Sequence, residues 1–197
     1  MRANLASELQ TLLDAETAML ETWLATQISN AETLANDRQI RQTVYQLLDG
    51  DGAHAQPQVP ETSIHAELQK KLPPSMSSHD YVGYLLADKS KRIFSSSHTA
   101  LTGQQEVAEY DAFLTRALDG ETNVCPPFPS VVIVKNEFGD VRVGEPTMFV
   151  AAPIRDMDFQ VVVALALQIR PEREFTRILQ LHGSANRVRR TPLTRPD

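Results

Sequence analysis

The sequence has little cysteine, no long apolar run and no basic excess, and each shortage excludes a class of protein. Cys125 is the only cysteine, which excludes an intramolecular disulfide framework and any multi-cysteine zinc or iron–sulfur site. The longest uncharged apolar stretch, residues 161–169, has about half the length that a membrane-spanning helix needs. The N-terminal residues lack the apolar segment of a signal peptide, so we expect the isolated chain to be soluble. The 25 acidic residues outnumber the 19 basic ones and give a net charge of −6, which argues against a nucleic-acid partner.

The overall composition is that of a folded protein. The chain has 197 residues, of which 42% are hydrophobic and 22% are charged. Such a chain is too apolar to be disordered, and it is long enough for one large domain or two small ones.

Residues 1–49 are predicted to form one long helix. Apolar residues recur at steps of three and four, Gly50 supplies a stop signal, and a break is expected near Asn36 and Asp37. A helix of about 45 residues would extend about 65–70 Å, which is more than the width of a small domain. We therefore expect its first part to form a homodimer face and its later part to pack on a sheet. The predicted dimer face consists of Leu5, Leu9, Leu12, Met19 and Trp23, and the predicted sheet-facing part consists of Leu34, Ile40, Val44 and Leu47.

The periodicity changes from helix to strand near residue 79. Residues 50–63 are predicted to be a loop, followed by a short helix at 63–71 that is capped by Ser63 and stopped by Pro73 and Pro74. Strands are predicted at residues 81–88, 92–97, 130–135, 147–154 and 160–169, helices at 104–118 and 171–181, and a rigid connector at 125–129. The segment 161–167 is apolar on both faces, which predicts a central strand. The predicted divisions are the long helix at 1–49, a loop and short helix at 50–78, an α+β module at 79–182 and a disordered basic tail at 183–197.

This order of elements predicts an α+β fold with helices packed on a five-stranded antiparallel sheet. Two strand pairs carry a resemblance to a known family: residues 81–88 with 92–97, and Ala152-Pro153-Ile154-Arg155-Asp156 with residues 163–169. They resemble the Cache domain, of the double-Cache, PAS-like sensor type. The resemblance covers residues 5–182 and implies a long N-terminal helix packed on a PAS-like sheet.

The resemblance implies an extracytoplasmic, periplasmic-side ligand-sensing module of a transmembrane signalling receptor, such as a kinase or chemoreceptor. It implies neither enzymatic activity nor a cofactor in the module itself. Membrane attachment would occur only through anchors that this chain does not contain, so we expect a fragment, an isolated ectodomain or a reading frame that ends early. Ligand binding would shift the sheet against the long helix, and the helix would transmit that displacement toward the membrane.

The resemblance also places a small-molecule pocket on the concave face of the sheet, under the helix and loop between the second and third strands. The predicted ligand-binding residues are Ser95, Ser97, Tyr110, Phe128, Val132, Asn136, Phe149 and Ala151. An apolar cleft with a few hydroxyl groups is typical of small-molecule sites. The amino-acid-binding pattern of the family is not intact, because Gln104-Gln105-Glu106 stand where Arg and Trp are expected and Asn136 replaces an Asp. Amino-acid recognition is therefore disfavoured.

Other reactive side chains have simpler interpretations. His79 and His98 flank the first two strands, where metal binding or pH sensing is conceivable, but loop histidines usually have neither role and no metal site is predicted. Cys125 lacks the base and the electropositive setting of a catalytic thiol, so it is predicted to be a small, partly buried residue. Asp156 and Asp158 lie in a predicted turn, where aspartate is favoured for local hydrogen bonding.

No catalytic residue is predicted, since the sequence contains no nucleophile–base pairing, phosphate loop or metalloprotease motif. The alternative to a ligand sensor is a structural or dimerisation module of the same kind of receptor. That alternative predicts a filled, apolar sheet face without a cleft.

Overall fold

The computed structural model describes residues 2–50, 61–135 and 141–171. The chain divides into two compact units, one formed by Met1–Ala25 with Pro171–Asp197 and the other by Thr26–Arg170. The sheet lies entirely in the second unit. The predicted helix at 171–181, beyond its first residue, and the predicted tail at 183–197 lie outside the described residues, as does most of the loop that was predicted at 50–63.

The long N-terminal segment forms two helices, α1 (Arg2–Ala35) and α2 (Arg38–Gly50). The predicted break is confirmed, and its cause is a helix cap. The Asp37 carboxylate accepts hydrogen bonds from the backbone N–H groups of Gln39, at 2.8 Å, and Ile40, at 3.0 Å. These are the N–H groups that have no partner within a new helix, so Asp37 starts α2 where α1 ends. No helix among the described residues is both long enough and apolar enough to cross a membrane.

The next helix, α3 (Glu61–Ser77), corrects the prediction of a short helix at 63–71. It begins two residues before Ser63 and continues through Pro73 and Pro74, which were expected to stop it. Prolines normally break a helix because they lack the N–H donor and clash with the preceding turn. Here Leu68 and Leu72 are fully buried and Met76 is 6% exposed, four residues apart along one face. Tertiary burial of this face on both sides of the prolines offsets the lost hydrogen bonds.

Elsewhere the described residues form eight strands and a fourth helix. In chain order they are β1 (Gly83–Asp88), β2 (Ile93–Ser96), α4 (Ala108–Leu118), β3 (Asn123–Val124), β4 (Phe128–Pro129), β5 (Val134–Lys135), β6 (Val141–Arg142), β7 (Pro146–Arg155) and β8 (Val161–Ile169). A 3₁₀ turn, Thr99–Leu101, lies between β2 and α4. The fold is therefore α+β, as predicted.

Six strands form the main antiparallel sheet, in the order β2-β1-β8-β7-β3 with β4 also paired to β7. The predicted antiparallel sheet is confirmed, with six strands instead of five, and β8 is central as expected. The strand that was predicted at 130–135 is not part of it, because only β5 forms there and it pairs with β6 in a separate two-stranded sheet. The connector at 125–129 instead pairs with β7 at both ends, through Cys125 and through β4. Pro126 and Pro127 interrupt this pairing because they have no N–H to donate.

The predicted helix at 104–118 begins later, at Ala108. Gly103 donates a backbone hydrogen bond to the Ile93 carbonyl at 2.7 Å, and Ile93 donates to the Gln104 carbonyl at 2.8 Å. The first residues of the expected helix are therefore held against β2 by backbone pairing.

The register divides the sheet into two faces, since partners in antiparallel strands point to the same side. The α4 face carries Gly83, Leu85, Ala87, Ser96, Asn123, Phe128, Thr147, Phe149, Ala151, Ala164, Ala166 and Gln168. The opposite face carries Tyr84, Leu86, Ser95, Met148, Val150, Ile154, Val163, Leu165 and Leu167. Each of these nine residues is at most 3% exposed. The four residues predicted to face the sheet from the long helix, Leu34, Ile40, Val44 and Leu47, are all buried.

Candidate functional site

Four aromatic rings meet on the α4 face. Tyr110 and Phe113 come from one side of α4, Phe128 from β4 and Phe149 from the middle of the sheet. The ring centroids of Phe113 and Phe149 are 5.3 Å apart in a stacked arrangement, and those of Tyr110 and Phe149 are 5.4 Å apart. Phe128 closes the group, 5.9 Å from Tyr110 and 6.1 Å from Phe149. We call these four residues the aromatic cluster; its rings pack at the distances that favour aromatic pairs.

The phenol of Tyr110 is held in its neutral form. Burial, followed by the nearby charge of Glu109 and by Cys125, raises the pKa of Tyr110 well above its ordinary value. The side chain is 1% exposed, so it presents an uncharged polar group beside three apolar rings.

Next to the aromatic cluster lies a polar row formed by the buried Gln168 and Thr147 and the half-buried His98. Gln168 is the cross-strand partner of Phe149 and is 1% exposed. Its Nε2 donates to Thr147 Oγ1 at 2.9 Å, which leaves Oε1 to accept from His98 Nε2 at 2.9 Å. Both ends of the amide are therefore satisfied, as buried polar groups require. The row crosses from β7 through β8 to the segment after β2.

Gly83 makes room for this row. A Cβ at position 83 would lie 2.6 Å from Gln168 Oε1, 2.8 Å from Ser97 Oγ and 3.3 Å from His98 Nε2. The first two distances are shorter than any real carbon contact, so the amide can cross β1 only over a residue without a side chain.

Two further polar groups on this part of the molecule are buried without a hydrogen-bond partner. Asn123 uses its Nδ2 to donate to the Phe113 and Glu121 carbonyls, each at 3.1 Å, but its Oδ1 accepts nothing from the described residues. The Nε of Arg170, one residue after β8, is buried and unpaired within the described part of the chain. Such groups are uncommon in folded proteins and call for an explanation.

The structure brings together half of the predicted ligand-binding residues. Tyr110, Phe128 and Phe149 are in ring contact, and Ala151 lies on the same face, two residues along β7 from Phe149. Val132 is 8% exposed in the segment after β4, where its backbone is held by the Ser130 hydroxyl.

The other predicted residues lie elsewhere. Ser95 pairs with Leu86, so it is on the opposite face, beside the Tyr84 phenol. Burial raises the pKa of Tyr84, and the Ser95 hydroxyl offsets this slightly without a hydrogen bond of standard geometry to the phenol. The Ser97 hydroxyl is engaged with the backbone N–H and carbonyl of Tyr84. Asn136 lies outside the described residues.

The polar row was not predicted as a binding site, although the sequence carries a signal for part of it. In the apolar strand β8, Gln168 is polar and Arg170 follows two residues later, so both alternate onto one face. His98 was singled out only for its proximity to His79, whose ring instead lies 6.1 Å from that of Tyr81. Among the described residues no three His, Cys, Asp or Glu side chains are close enough together to hold a metal ion.

Cys125 and Asp156 have structural roles. The Cys125 sulfur accepts a hydrogen bond from the Phe149 N–H at 3.0 Å, and burial raises the pKa of the thiol to about 11. The Asp156 carboxylate accepts from the N–H groups of Asp158, at 2.9 Å, and Gln160, at 2.8 Å, and so shapes the β7–β8 turn. That local hydrogen bonding is what the sequence predicted for the turn.

The same turn is attached to α2. Arg41 Nη2 donates to the Arg155 carbonyl at 2.8 Å and to the Asp156 carbonyl at 3.3 Å. The Tyr45 hydroxyl also donates to the Arg155 carbonyl and accepts from Arg41 Nε at 3.0 Å. A polar junction thus joins the second helix to the end of the two central strands.

Comparison with known proteins shows the fold. No protein-family model and no curated protein matches the sequence. The sensor domain of the V. cholerae histidine kinase DctB matches with a TM-score of 0.55 at 11% identity, over 83% of this chain and 55% of that one. This chain therefore spans about 55% of the length of the DctB sensor domain. The E. coli DcuS sensor domain matches with a TM-score of 0.49 at 19% identity, over 81% of this chain and 94% of that one.

A third similar structure is the sensory domain of the Campylobacter jejuni chemoreceptor Tlp3 with isoleucine bound. It matches with a TM-score of 0.39 at 13% identity, over 80% of this chain and 63% of that one. The likeness to the DctB sensor domain confirms the prediction of a Cache-type, PAS-like fold.

Proposed function

We propose that this chain is an extracytoplasmic small-molecule sensing module of a transmembrane receptor. The module binds its ligand on the α4 face and has no catalytic activity of its own. The fold it shares with the DctB sensor domain supports this function. Fold alone does not decide function, so the proposal rests on the site.

The observation that carries the proposal is the polar row beside the aromatic cluster, two of whose three residues are buried. A core that served only for packing would have apolar residues at these positions, because a buried amide contributes little net stability even when it is satisfied. Here Gln168, the cross-strand partner of Phe149, contacts both Thr147 and the half-buried His98. Convergent polar groups on an apolar wall are how small-molecule sites fix the orientation of a ligand.

The second candidate is a structural or dimerisation module without a ligand. The close contact of all four rings in the aromatic cluster favours it, because those rings already fill the part of the face beneath the start of α4. On this alternative the polar row would serve only to fix the register of β8.

The route of the signal is proposed to run through the polar junction between α2 and the β7–β8 turn. A ligand that contacts Gln168 acts on β8, and β8 leads directly back to the turn that Arg41 and Tyr45 hold. A small displacement of the two central strands would then move α2 with them. Ligands shift such equilibria by binding one arrangement more tightly than the other.

The proposed assembly is a homodimer formed through α1. Leu9 and Leu13 are 58% and 57% exposed, and Leu12 and Leu20 are each 37% exposed. Apolar side chains at these helical spacings are suited to pair with a second copy. In the receptor this helix would lie on the extracytoplasmic side of the membrane.

A thermal-shift screen of the full chain tests the sensing function. The probes are small carboxylates, amino acids, polyamines, purines and divalent metal salts. A ligand at one hundred times its dissociation constant stabilises a protein by about 2.7 kcal/mol, which is a shift of several degrees for a domain of this size.

The variants are His98→Ala and Gln168→Leu in the site, with Gln39→Leu, an exposed residue of α2, as the matched control. A shift confined to one chemical class that is lost in the site variants but kept in the control supports the proposal. A flat screen on well-folded protein would overturn it and favour the structural module.

A further inference from the structure

Arg155, the last residue of β7, is hydrogen-bonded both to α2 and to the end of α4. Its carbonyl accepts from Arg41 Nη2, at 2.8 Å, and from the Tyr45 hydroxyl, both in α2. Its guanidinium donates from Nη2 to the Gly120 carbonyl at 3.1 Å. Gly120 lies in the segment that ends α4, residues 119–121, which we call the α4 corner. Arg155 therefore contacts α2 through its backbone and the α4 corner through its side chain.

The position of Arg155 in the sheet allows this double contact. Ile154 pairs with Val163 and Arg155 pairs with Val161, so β8 has one extra residue here, Val162, and a β-bulge interrupts the register. Ile154 is fully buried on the opposite face of the sheet. Because neighbouring strand residues point to opposite sides, the side chain of Arg155 is directed toward the face that α4 covers.

The α4 corner presents a carbonyl to this guanidinium. Gly120 has a φ of +99°, the left-handed conformation that ends many helices. Its N–H donates to the Ala117 carbonyl at 3.0 Å, and the Glu121 N–H donates to the Arg116 carbonyl at 3.0 Å, so these bonds close the helix end. The Gly120 carbonyl lies outside this cap and accepts from Arg155. A Cβ at position 120 would lie 2.8 Å from Arg155 Nη2, so the close approach also requires glycine.

The hydrogen bonds of the guanidinium go to main-chain carbonyls. Nη1 of Arg155 donates to the Phe159 carbonyl at 3.1 Å, in the β7–β8 turn. Among the residues that the structure describes, no carboxylate forms an ion pair with this side chain. A carboxylate on a flexible side chain can follow a displaced arginine, whereas a carbonyl moves only with its backbone. A displacement of the α4 corner must therefore either break the bond to Arg155 or move the β7–β8 turn.

The α4 corner is also attached to the candidate site. Tyr110 and Phe113 of the aromatic cluster belong to α4. Asn123, two residues after the corner, donates to the Phe113 and Glu121 carbonyls and so joins α4 to β3. A ligand that contacts the aromatic cluster acts on α4, and α4 ends next to the carbonyl that Arg155 binds.

We propose that Arg155 couples α4 to α2. It is a positioning residue that does not touch the ligand. When α4 changes its position on the sheet around a ligand, the Gly120 carbonyl moves the guanidinium, and the Arg155 carbonyl moves the attached part of α2. The coupling is reciprocal, so a change that fixes α2 alters the affinity for the ligand by the same factor. This inference rests on the proposed sensing function and adds a route through helix α4 to the one through strand β8.

The experiment is a cycle of variants of the full chain, followed by amide hydrogen exchange without any ligand. Gly120→Ala perturbs the α4 corner, Arg155→Met removes the guanidinium but keeps an unbranched side chain, and a third protein carries both changes. Arg155→Lys keeps the charge, but its single amino group lacks the planar fork that donates to two carbonyls. Arg116→Met is the matched control, because this exposed arginine of α4 pairs with Glu121 on the solvent side of the same corner.

We expect Gly120→Ala to speed the exchange of α2 amides about threefold or more relative to β1 amides, the change that losing one hydrogen bond gives. In the Arg155→Met protein the same substitution should change this ratio less than about twofold, because the connection is already broken. Arg155→Met alone should speed α2 exchange, Arg155→Lys should speed it less, and Arg116→Met should not change it. Melting curves check that each variant is folded, and Gly120→Asn replaces Gly120→Ala if that variant does not fold, since asparagine tolerates the left-handed backbone.

Two results would overturn the coupling. Equal acceleration of α2 exchange by the Gly120 substitution with and without the guanidinium would show that the α4 corner reaches α2 by another path. Unchanged α2 exchange in both single variants would show that the corner and α2 are independent. Because the cycle contains no ligand, either result leaves the sensing function standing, and the thermal-shift screen decides that function separately.

Discussion

The side chain of Gln168 lies directly over Gly83, with its Oε1 2.6 Å from the point where a Cβ would stand. The amide reaches His98 on the far side of β1 only because Gly83 has no side chain. The space above Gly83 in β1 therefore determines whether Gln168, which contacts Thr147, can also reach His98. The polar row therefore requires both its own polar groups and a residue without a Cβ at position 83.

Gly83→Ala is expected to destabilise the fold by about 1–3 kcal/mol, the usual range for an overpacked buried position. The added methyl must displace the Gln168 amide, so the cost should fall when that amide is removed. In a double-mutant cycle with Gln168→Ala, measured by urea denaturation, we expect the two changes together to cost at least ~1 kcal/mol less than their sum. Strict additivity would show that the methyl is accommodated elsewhere.

Tyr45→Phe is expected to lower the free energy of unfolding by about 1 kcal/mol, because it removes the hydroxyl that joins α2 to the Arg155 carbonyl. Amide hydrogen exchange in the β7–β8 turn should become faster, whereas exchange in β1 should not change. Arg38→Ala, at an exposed residue in the same helix, is the control and should change the stability by less than about 0.5 kcal/mol. Unchanged exchange in the turn would contradict the proposed coupling.

The stability of the protein is expected to fall between pH 9 and pH 11 through Cys125. The pKa of the buried thiol is raised from 9.0 to about 11, so the folded state keeps its proton where the unfolded chain loses it. The contribution is complete below pH 9 and is lost as the pH rises toward 11. At pH 10.5 it amounts to about 2 kcal/mol of lost stability.

The matched variant for this measurement is Cys125→Ala. Its stability at pH 8 is expected to be lower than that of the original chain, because a buried contact is lost, but the decline from pH 8 to pH 10.5 should be smaller. Any titration of Tyr110 lowers the stability of both proteins by about the same amount, so it largely cancels when the two declines are subtracted. An identical decline in both proteins would remove Cys125 as the cause.

Leu9→Lys combined with Leu13→Lys is expected to convert a dimer into a monomer. Both leucines are more than half exposed, so the change should not affect the fold of the chain, whereas two charges in a paired helix face would oppose association. Light scattering should show a mass of twice 21.9 kDa for the original chain and 21.9 kDa for the variant. Gln10→Lys, on the same helix, serves as the charge control, and a monomeric original chain would refute the dimer.

The periodicity of the sequence was sufficient to predict the layers of the fold. Strand β8 is apolar at every position from Val161 to Leu167, and it does lie between two neighbours. The break after α1 followed from local chemistry, because Asp37 caps the next helix with its own side chain. At Asp37 the effect is exerted within a few positions along the chain, and there the prediction was confirmed.

The predictions that failed concerned segments whose structure is set by distant contacts. Pro73 and Pro74 do not end α3, since burial of Leu72 and Met76 holds the helix on both sides of them. The connector around Cys125 joins the sheet because β7 offers free backbone groups to it. No window of the sequence that contains only these residues carries that information.

The predicted binding residues also divide into those that the sequence could identify and those whose position depends on the structure. The aromatic residues of the cluster could be selected by type, since large apolar residues on a sheet face beneath a helix are expected to meet. Ser95 was chosen by its place on a strand, but its pairing with Leu86 puts it on the opposite face. His98 lies beyond the end of β2, where alternation along the strand no longer assigns a side chain to a face without the structure.

The alternation of β8 has a consequence for how this protein tolerates insertions. A single residue inserted near the start of the strand would turn every later side chain to the other face of the sheet. Gln168 would then point to the opposite face, and Leu167 would point to the α4 face. A residue inserted in the turn between β7 and β8 would leave both strands as they are. In related sequences, insertions and deletions should therefore occur at residues 156–160, whereas the segment from Val161 to Arg170 should keep a constant length.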